Sequence, residues 1–181
     1  GIVSHDATYT VGGPNPGDKN YFDKNLRAIE ASHTSTAFIG SLLIENNEFS
    51  GFSETAVFIK NGYATQVERN TFNFDHSSSA AIVPNNIGDG SHLEFLGGPS
   101  VVPTLARGLY LENSQDYWVT KNVFENSGSG FKGSGLTVYS DNETFDDYNE
   151  NYIYDNQFNN LIYSSFGNGE NDGDGLVSSN K

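Results

Sequence analysis

The sequence predicts an all-β fold, a right-handed single-stranded parallel β-helix in which the chain winds as a solenoid. Two observations favour this fold: a six-residue motif recurs four times in the 181 residues, and a second short apolar strand precedes it. The recurring motif has the greatest weight, because self-similarity at a period of about 20 to 50 residues is typical of repeat architectures.

The motif places an apolar residue first, Asn three positions later and Phe five positions later. Its four copies are residues 44–49, 67–72, 119–124 and 153–158. Their starts differ by 23, 52 and 34 residues. We interpret the gap of 52 as two turns of 26 with a degenerate turn at residues 92–96, and the gap of 34 as one turn plus an insertion.

A short apolar strand precedes the motif. Residues 57–59 and 109–111 each end eight positions before the next motif begins. Residues 136–138 repeat this strand ahead of an insertion at 141–149, and residues 81–83 are expected to fill the same role in the degenerate turn.

Stacking of coils is the physical basis of this pattern. The strands alternate apolar inward and polar outward positions, and no single coil buries its apolar face alone. The expected internal column consists of Phe49, Phe72, Phe124 and Phe158. The expected corner ladder, in which each amide bonds to the amides above and below, consists of Asn47, Asn70, Asn122 and Asn156. The Leu-x-x-Leu-x-Leu pattern of leucine-rich repeats is absent.

With these I-x-x-N-x-F turns, residues 38–166 resemble the pectate-lyase-like superfamily of right-handed parallel β-helix proteins. The resemblance implies the fold but not one activity, because the superfamily includes polysaccharide lyases, glycoside hydrolases, tailspikes and adhesins. The sequence lacks the paired-aspartate, Gly-His-Gly and Arg-Ile-Lys motifs of β-helix polygalacturonases.

Residues 1–36 are expected to form an N-terminal strand and cap region, ahead of coils over residues 37–181. Phe22, Leu26 and Ile29 have the spacing of one helical face, which predicts a helix capping the first coil. The alternative is that a further turn begins at residue 21, which lies 23 residues before the first motif.

The C-terminal residues 175–178 have the pattern of another opening strand. We therefore expect the coils to continue in the native polypeptide, or a further domain or neighbouring chain to cover this end. The missing Met likewise predicts that an N-terminal segment was removed or that the chain is an excised piece.

The charge balance limits the partners. Lys and Arg number 9 against 23 Asp and Glu, which gives a formal net charge of -14. Such a surface repels nucleic acid and anionic membranes, so we expect no nucleic-acid partner. No apolar run of 18 residues is present, so no membrane insertion is expected. The Gly-, Asn- and Ser-rich composition favours a secreted, extracellular or cell-surface location.

Two adjacent outward rows are expected on the stacked strands that carry the motif. One row contains Glu45, Glu68, Thr120 and Tyr154. The other contains Asn46, Arg69, Lys121 and Asp155. Arg69 and Lys121 are candidates for the cation and the base that a polysaccharide lyase requires, although the expected register separates them by two turns. The simpler interpretation is that both are solvated surface charges.

Four aromatic side chains are candidate contacts for sugar rings: Phe58, Tyr110, Trp118 and Tyr154. Packing beneath loops or against a neighbouring domain is the alternative.

A calcium site is predicted at Glu170, Asp172 and Asp174, because this loop is rich in oxygen ligands and glycine. A second acidic cluster occupies residues 141–150. Solvated turns are the alternative for both segments. The four His residues share no metal-binding spacing.

Together these features predict a β-helix module of a secreted or surface protein, acting as a rigid scaffold or adhesin with a carbohydrate-binding face. The alternative hypothesis is a polysaccharide lyase or glycoside hydrolase, or a fragment of one, that acts on acidic polysaccharide.

Overall fold

The computed structural model describes residues 1–34, 41–75, 106–128, 133–139 and 151–161, and the backbone of residues 163–168. Within them the chain forms three parallel sheets and one short 3₁₀ helix, Pro16–Asp18. The sheets wind as a right-handed parallel β-helix, which confirms the predicted fold. No helix in the described part of the chain is long and apolar enough to cross a membrane.

Successive turns of the solenoid contribute one strand to each sheet. Sheet 1 contains β1 (Ile2–His5), β4 (Arg27–Ser32), β7 (Thr55–Lys60), β10 (Arg107–Glu112), β13 (Ser134–Tyr139) and β16 (Tyr163–Asn168). Sheet 2 contains β2 (Tyr9–Gly12), β5 (Leu42–Glu45), β8 (Gln66–Glu68), β11 (Trp118–Thr120) and β14 (Tyr152–Tyr154). Sheet 3 contains β3 (Tyr21–Asp23), β6 (Glu48–Ser50), β9 (Thr71–Asn73), β12 (Val123–Glu125) and β15 (Gln157–Asn159).

The predicted phenylalanine column runs through the core behind sheet 3. Its members, from the first turn to the fifth, are Phe22, Phe49, Phe72, Phe124 and Phe158. Neighbouring ring centroids are 4.6 to 5.0 Å apart, and the ring planes differ by 4° to 11°. The three middle rings are fully buried. Parallel pairing of the strands holds the rings in register, so every ring contacts the rings above and below.

The predicted asparagine ladder occupies the corner between sheets 2 and 3. Its members are Asn20, Asn47, Asn70, Asn122 and Asn156. At Asn122, Oδ1 accepts hydrogen bonds from the backbone N–H and the side-chain amide of Asn70, at 2.9 and 3.1 Å. Its own amide donates to the Val67 carbonyl at 2.8 Å and to Oδ1 of Asn156 at 3.0 Å. Each amide thus supplies donors and an acceptor to backbone that turns the corner away from water.

This corner needs one residue in the left-handed conformation, immediately before the ladder asparagine. Asn46, Arg69, Lys121 and Asp155 occupy it, with φ between 54° and 56°. Asn and Asp tolerate this conformation readily, whereas Arg and Lys adopt it at a steric cost. The expected row of these four residues is therefore correct, but they form a turn and do not lie on a strand.

The interpretation of the 52-residue gap was wrong. Val67 of β8 pairs directly with Val119 of β11, and β7 pairs directly with β10, so no strand lies between them in either sheet. Residues 74–106 separate β9 from β10 in the sequence, and the predicted strand at 81–83 and degenerate turn at 92–96 lie outside the described residues. The interpretation of the 34-residue gap as one turn plus an insertion is confirmed by the pairing of Val119 with Ile153.

The helical alternative for the N-terminal region was also wrong. Phe22 lies in β3 and Ile29 in β4, with Leu26 in the connection between them. Phe22 pairs with Phe49 and Ile29 pairs with Val57, so these residues belong to coils. The spacing that mimics a helical face arises because a short connection of residues 24–26 separates two strands.

Small residues of sheet 1 make room for the rings. A Cβ built on Gly108 would lie 2.7 Å from Cδ1 of Phe124 and 2.7 Å from the Gly135 carbonyl oxygen. The coil therefore closes around the column only if this position lacks a side chain.

We predict that Phe72→Ala lowers the free energy of unfolding by about 3 to 5 kcal/mol, because it removes a buried ring that is packed between two others. Chemical denaturation monitored by circular dichroism measures this change. Thr71→Ala, on the same strand but facing outward, should shift it by no more than about 0.5 kcal/mol. If the two substitutions lowered the free energy of unfolding equally, the prediction that the phenylalanine column stabilises the core would be contradicted.

We predict that Asn122→Asp destabilises the solenoid at neutral pH by about 2 kcal/mol or more, because a buried carboxylate cannot donate to Val67 or Asn156. The loss should shrink at acid pH, where the protonated side chain donates one hydrogen bond again. Denaturation at both pH values tests this, with exposed Asn159→Asp as the control. A loss that does not change with pH would argue against the ladder.

Candidate functional site

The candidate site lies on the outer face of sheet 2. Val67, Val119 and Ile153 point into the core, so the residues on either side of each point outward. One outward row contains Gln66, Trp118 and Tyr152, and the second contains Glu45, Glu68, Thr120 and Tyr154. The second row is the predicted one. We call the outward side chains of β8, β11 and β14 the sheet 2 face.

Three aromatic side chains stand together on this face. Trp118 and Tyr152 occupy the same row on consecutive turns, with ring centroids 6.0 Å apart and planes inclined by 21°. Tyr154 lies two residues along from Tyr152 and points to the same side. All three are half-buried. Trp118 and Tyr152 therefore form a stacked aromatic pair that spans two consecutive turns.

Arg69 is part of a closed charge network. Its guanidinium forms ion pairs with buried Glu45 on the preceding turn and with Glu68, the latter at 3.1 Å. Thr120 donates a hydrogen bond from Oγ1 to Oε1 of Glu68 at 3.0 Å. The positive charge of Arg69 is therefore neutralised by two carboxylates of the same chain.

Lys121 differs from Arg69 in this respect. It is exposed at the corner beside the sheet 2 face, and it forms no salt bridge within the part of the chain that the structure describes. Arg69 and Lys121 lie on consecutive turns, because β8 pairs with β11. The expected separation of two turns was wrong, since it depended on the degenerate turn.

The aromatic pair on sheet 1 is in a different environment. Phe58 and Tyr110 are in register, with centroids 5.3 Å apart. The guanidinium of Arg27 lies 5.0 Å from the Phe58 centroid, and that of Arg107 lies 4.7 Å from the Tyr110 centroid. Tyr110 is only 3% exposed. Cations cover these rings, and the role of both residues in ligand binding remains a prediction.

Arg27 connects two turns on this side of the solenoid. Nε of Arg27 donates to Oε1 of buried Glu54 at 2.6 Å, and its Nη1 lies 3.0 Å from Oε2 of Glu30. Burial opposes the charge of Arg27, but these two carboxylates raise its pKa above the ordinary value. Sequence reasoning missed this network. Its signal was the spacing of 27 residues between Arg27 and Glu54, close to the 28 residues that separate paired positions of β4 and β7.

The same spacing identifies an overlooked turn. Asn20 and Phe22 precede Asn47 and Phe49 by 27 residues and continue both columns. The full motif is hidden there because residues 13–20 separate β2 from β3, so Val11, which pairs with Ile44, lies nine residues before Asn20 instead of three.

The predicted calcium ligands Glu170, Asp172 and Asp174 lie outside the described residues, as does the acidic cluster at 141–150. Within the described ranges, no group of three or more His, Asp or Glu side chains is arranged to hold a metal ion.

A buried histidine occupies the corner between sheets 1 and 2. His33 lies between Asp6 on the turn above and Asn61 on the turn below, whose amide donates to the His33 carbonyl at 2.7 Å. Its Nδ1 is 3.9 Å from Oδ1 of Asp6. Burial lowers the pKa of His33, although Asp6 opposes the shift. Hydrogen bonds from the hydroxyl and backbone N–H of Thr34 lower the pKa of Asp6.

We predict that the folded state loses stability as pH falls below 6.5, the ordinary pKa of His33, because the unfolded chain takes up this proton more readily. The loss should level off below the lowered folded pKa. Asp6 affects stability in a separate pH range. Because its pKa is lowered in the folded state, the stabilisation of the fold by its carboxylate is lost only as pH falls below 3.8. Unfolding of the native protein and of His33→Gln at pH 7.5 and pH 5.5 tests this. An equal decrease in both proteins would exclude His33 as the cause.

Comparison of the chain with models of protein families, with curated proteins and with solved structures gives no match. The fold assignment therefore rests on the three parallel sheets and on their register.

Proposed function

We propose that this chain is a rigid β-helix module of a secreted or cell-surface protein, which acts as a scaffold or adhesin and contacts carbohydrate through the sheet 2 face. The phenylalanine column and the asparagine ladder, continuous over five turns, carry the scaffold role. Bending or twisting the rod requires rings to separate and buried amide bonds to break. A rigid solenoid of this kind can hold whatever is attached to it at a fixed distance.

The sheet 2 face is the favoured contact surface for a sugar. Trp118, Tyr152 and Tyr154 supply apolar ring surface, while the tyrosine hydroxyls and Lys121 supply polar groups beside it. Carbohydrates present both apolar ring faces and hydroxyl groups, and amphipathic aromatic side chains suit them. The face is also fixed in position, because each aromatic residue stands on a strand paired on at least one side.

Membership in the pectate-lyase-like superfamily belongs to the same proposal. The three-strand coils and the asparagine corner support it, and a secreted location agrees with the acidic, glycine-rich composition. The arrangement favours binding over lyase chemistry. A lyase needs a cation for the substrate carboxylate and a separate base, and because Arg69 is neutralised by Glu45 and Glu68, Lys121 alone would have to serve both roles.

We predict that Trp118→Ala weakens binding to any glycan that the native protein captures from an array by about tenfold, since it removes half of the stacked pair. Tyr21→Ala is the matched control, because Tyr21 is an exposed aromatic residue of sheet 3. Thermal unfolding of both variants verifies that they are folded.

Two outcomes contradict this assignment. A glycan that binds equally to Trp118→Ala and the native protein would place the contact surface elsewhere. Absence of binding to all glycans would leave the scaffold role alone.

A further inference from the structure

An uncharged row of side chains runs along the outer surface of sheet 2. Strand pairing places one residue from each of four consecutive turns directly beside the next. Leu42 and Ile44 are buried in the core, so Leu43 between them points outward. All four members of the row are partly exposed. We call this set the neutral row, and its members are Leu43, Gln66, Trp118 and Tyr152.

The direction and length of the neutral row indicate the shape of its ligand. The row crosses the strands and so runs along the solenoid axis. Neighbouring strands lie about 4.8 Å apart, so three steps separate Leu43 from Tyr152 by about 14 Å. This distance exceeds the length of one sugar ring. A linear oligosaccharide that lies along the axis therefore matches the row better than a single sugar does.

The charges beside the neutral row disfavour an anionic ligand. From β5 to β14, the charged side chains of the second outward row and of the corner behind it are Glu45, Glu68, Arg69, Lys121 and Asp155. Three are acidic and two are basic, so their formal charge is -1, and the whole chain carries -14. An acidic polysaccharide would bring a series of negative charges to this surface and be repelled, whereas a neutral one would not.

We propose that the sheet 2 face binds a linear, uncharged polysaccharide whose chain lies along the solenoid axis and contacts the neutral row over four turns. This inference rests on the proposed carbohydrate contact, and it adds the charge class of the glycan, its direction and two further contact residues. Leu43 supplies apolar surface at one end of the row, and the stacked pair of Trp118 and Tyr152 supplies it at the other. Between them, the amide of Gln66 can donate to and accept from sugar hydroxyls.

Calorimetric titration with oligosaccharides of two lengths tests the direction of the glycan. The probes are the β-1,4-linked disaccharides and pentasaccharides of glucose, mannose and xylose. A pentasaccharide is long enough to cross all four turns, whereas a disaccharide covers only part of the row. The pentasaccharide of the sugar that binds should have at least about tenfold higher affinity than its disaccharide. Equal affinities for the two lengths would overturn the proposal.

Variants of the neutral row locate the contact. Leu43→Ala should weaken binding of the pentasaccharide about fivefold and leave the disaccharide unaffected, because the disaccharide occupies the aromatic pair alone. Unchanged disaccharide affinity also shows that the variant is folded. Gln66→Ala is the second variant, and Val123→Ala is the matched control, since Val123 is a half-buried, outward residue of sheet 3. Unchanged pentasaccharide affinity in both row variants would refute a ligand along this row.

Oligogalacturonates of the same two lengths test the charge class. They should bind at least about tenfold more weakly than the neutral pentasaccharide, and binding of the neutral probe should not change between low and high salt. An oligogalacturonate that binds as tightly as the neutral probe would overturn the charge class. The general carbohydrate contact would still stand in that case if Trp118→Ala weakened binding. Absence of binding by every probe would contradict both this inference and the proposed carbohydrate contact.

Discussion

The hydrogen-bonding of backbone groups at the corner between sheets 2 and 3 constrains the whole solenoid. A parallel strand that ends at a sharp corner leaves a buried carbonyl without its strand partner, as at Val67, and the Asn122 amide supplies the missing donor. The same amide bonds to Asn156 on the next turn, so one side chain serves two coils. A shift of one residue would break these bonds and turn each phenylalanine ring out of the core.

This constraint explains which connections vary in length. From the second turn to the fifth, two residues link sheet 2 to sheet 3, as between Glu68 and Thr71 or between Thr120 and Val123. The other two corners have no comparable ladder throughout, and their connections range from residues 6–8 to residues 74–106. In these four turns, insertions enter where no side-chain column must be continued. The motif is therefore spaced irregularly because two corners vary in length, whereas the corner between sheets 2 and 3 keeps two residues from the second turn to the fifth.

The sequence allowed the fold, both columns and most of the strands to be predicted, because a buried amide and a stacked ring accept few substitutes. It misplaced one turn, since an even division of the 52-residue gap treats all corners as equal. Of the two interpretations of the N-terminal region, the helical face of Phe22, Leu26 and Ile29 was wrong, because three linking residues between two strands produce nearly the same spacing. The network of Arg69 with Glu45 was not predicted, since it joins outward residues on two turns and such positions show no apolar period.

The same ion pairs explain how an acidic chain uses its few cations. Arg27 meets Glu54, Lys60 meets Glu112 and Arg69 meets Glu45, in each case on a neighbouring turn. These positive charges join coils, so they contribute little field beyond the surface. Lys121 lies outside this scheme, beside Trp118 and Thr120. A ligand at the sheet 2 face would therefore meet ring surface, hydroxyl groups and one ammonium, which favours a polar neutral molecule over a strongly anionic one.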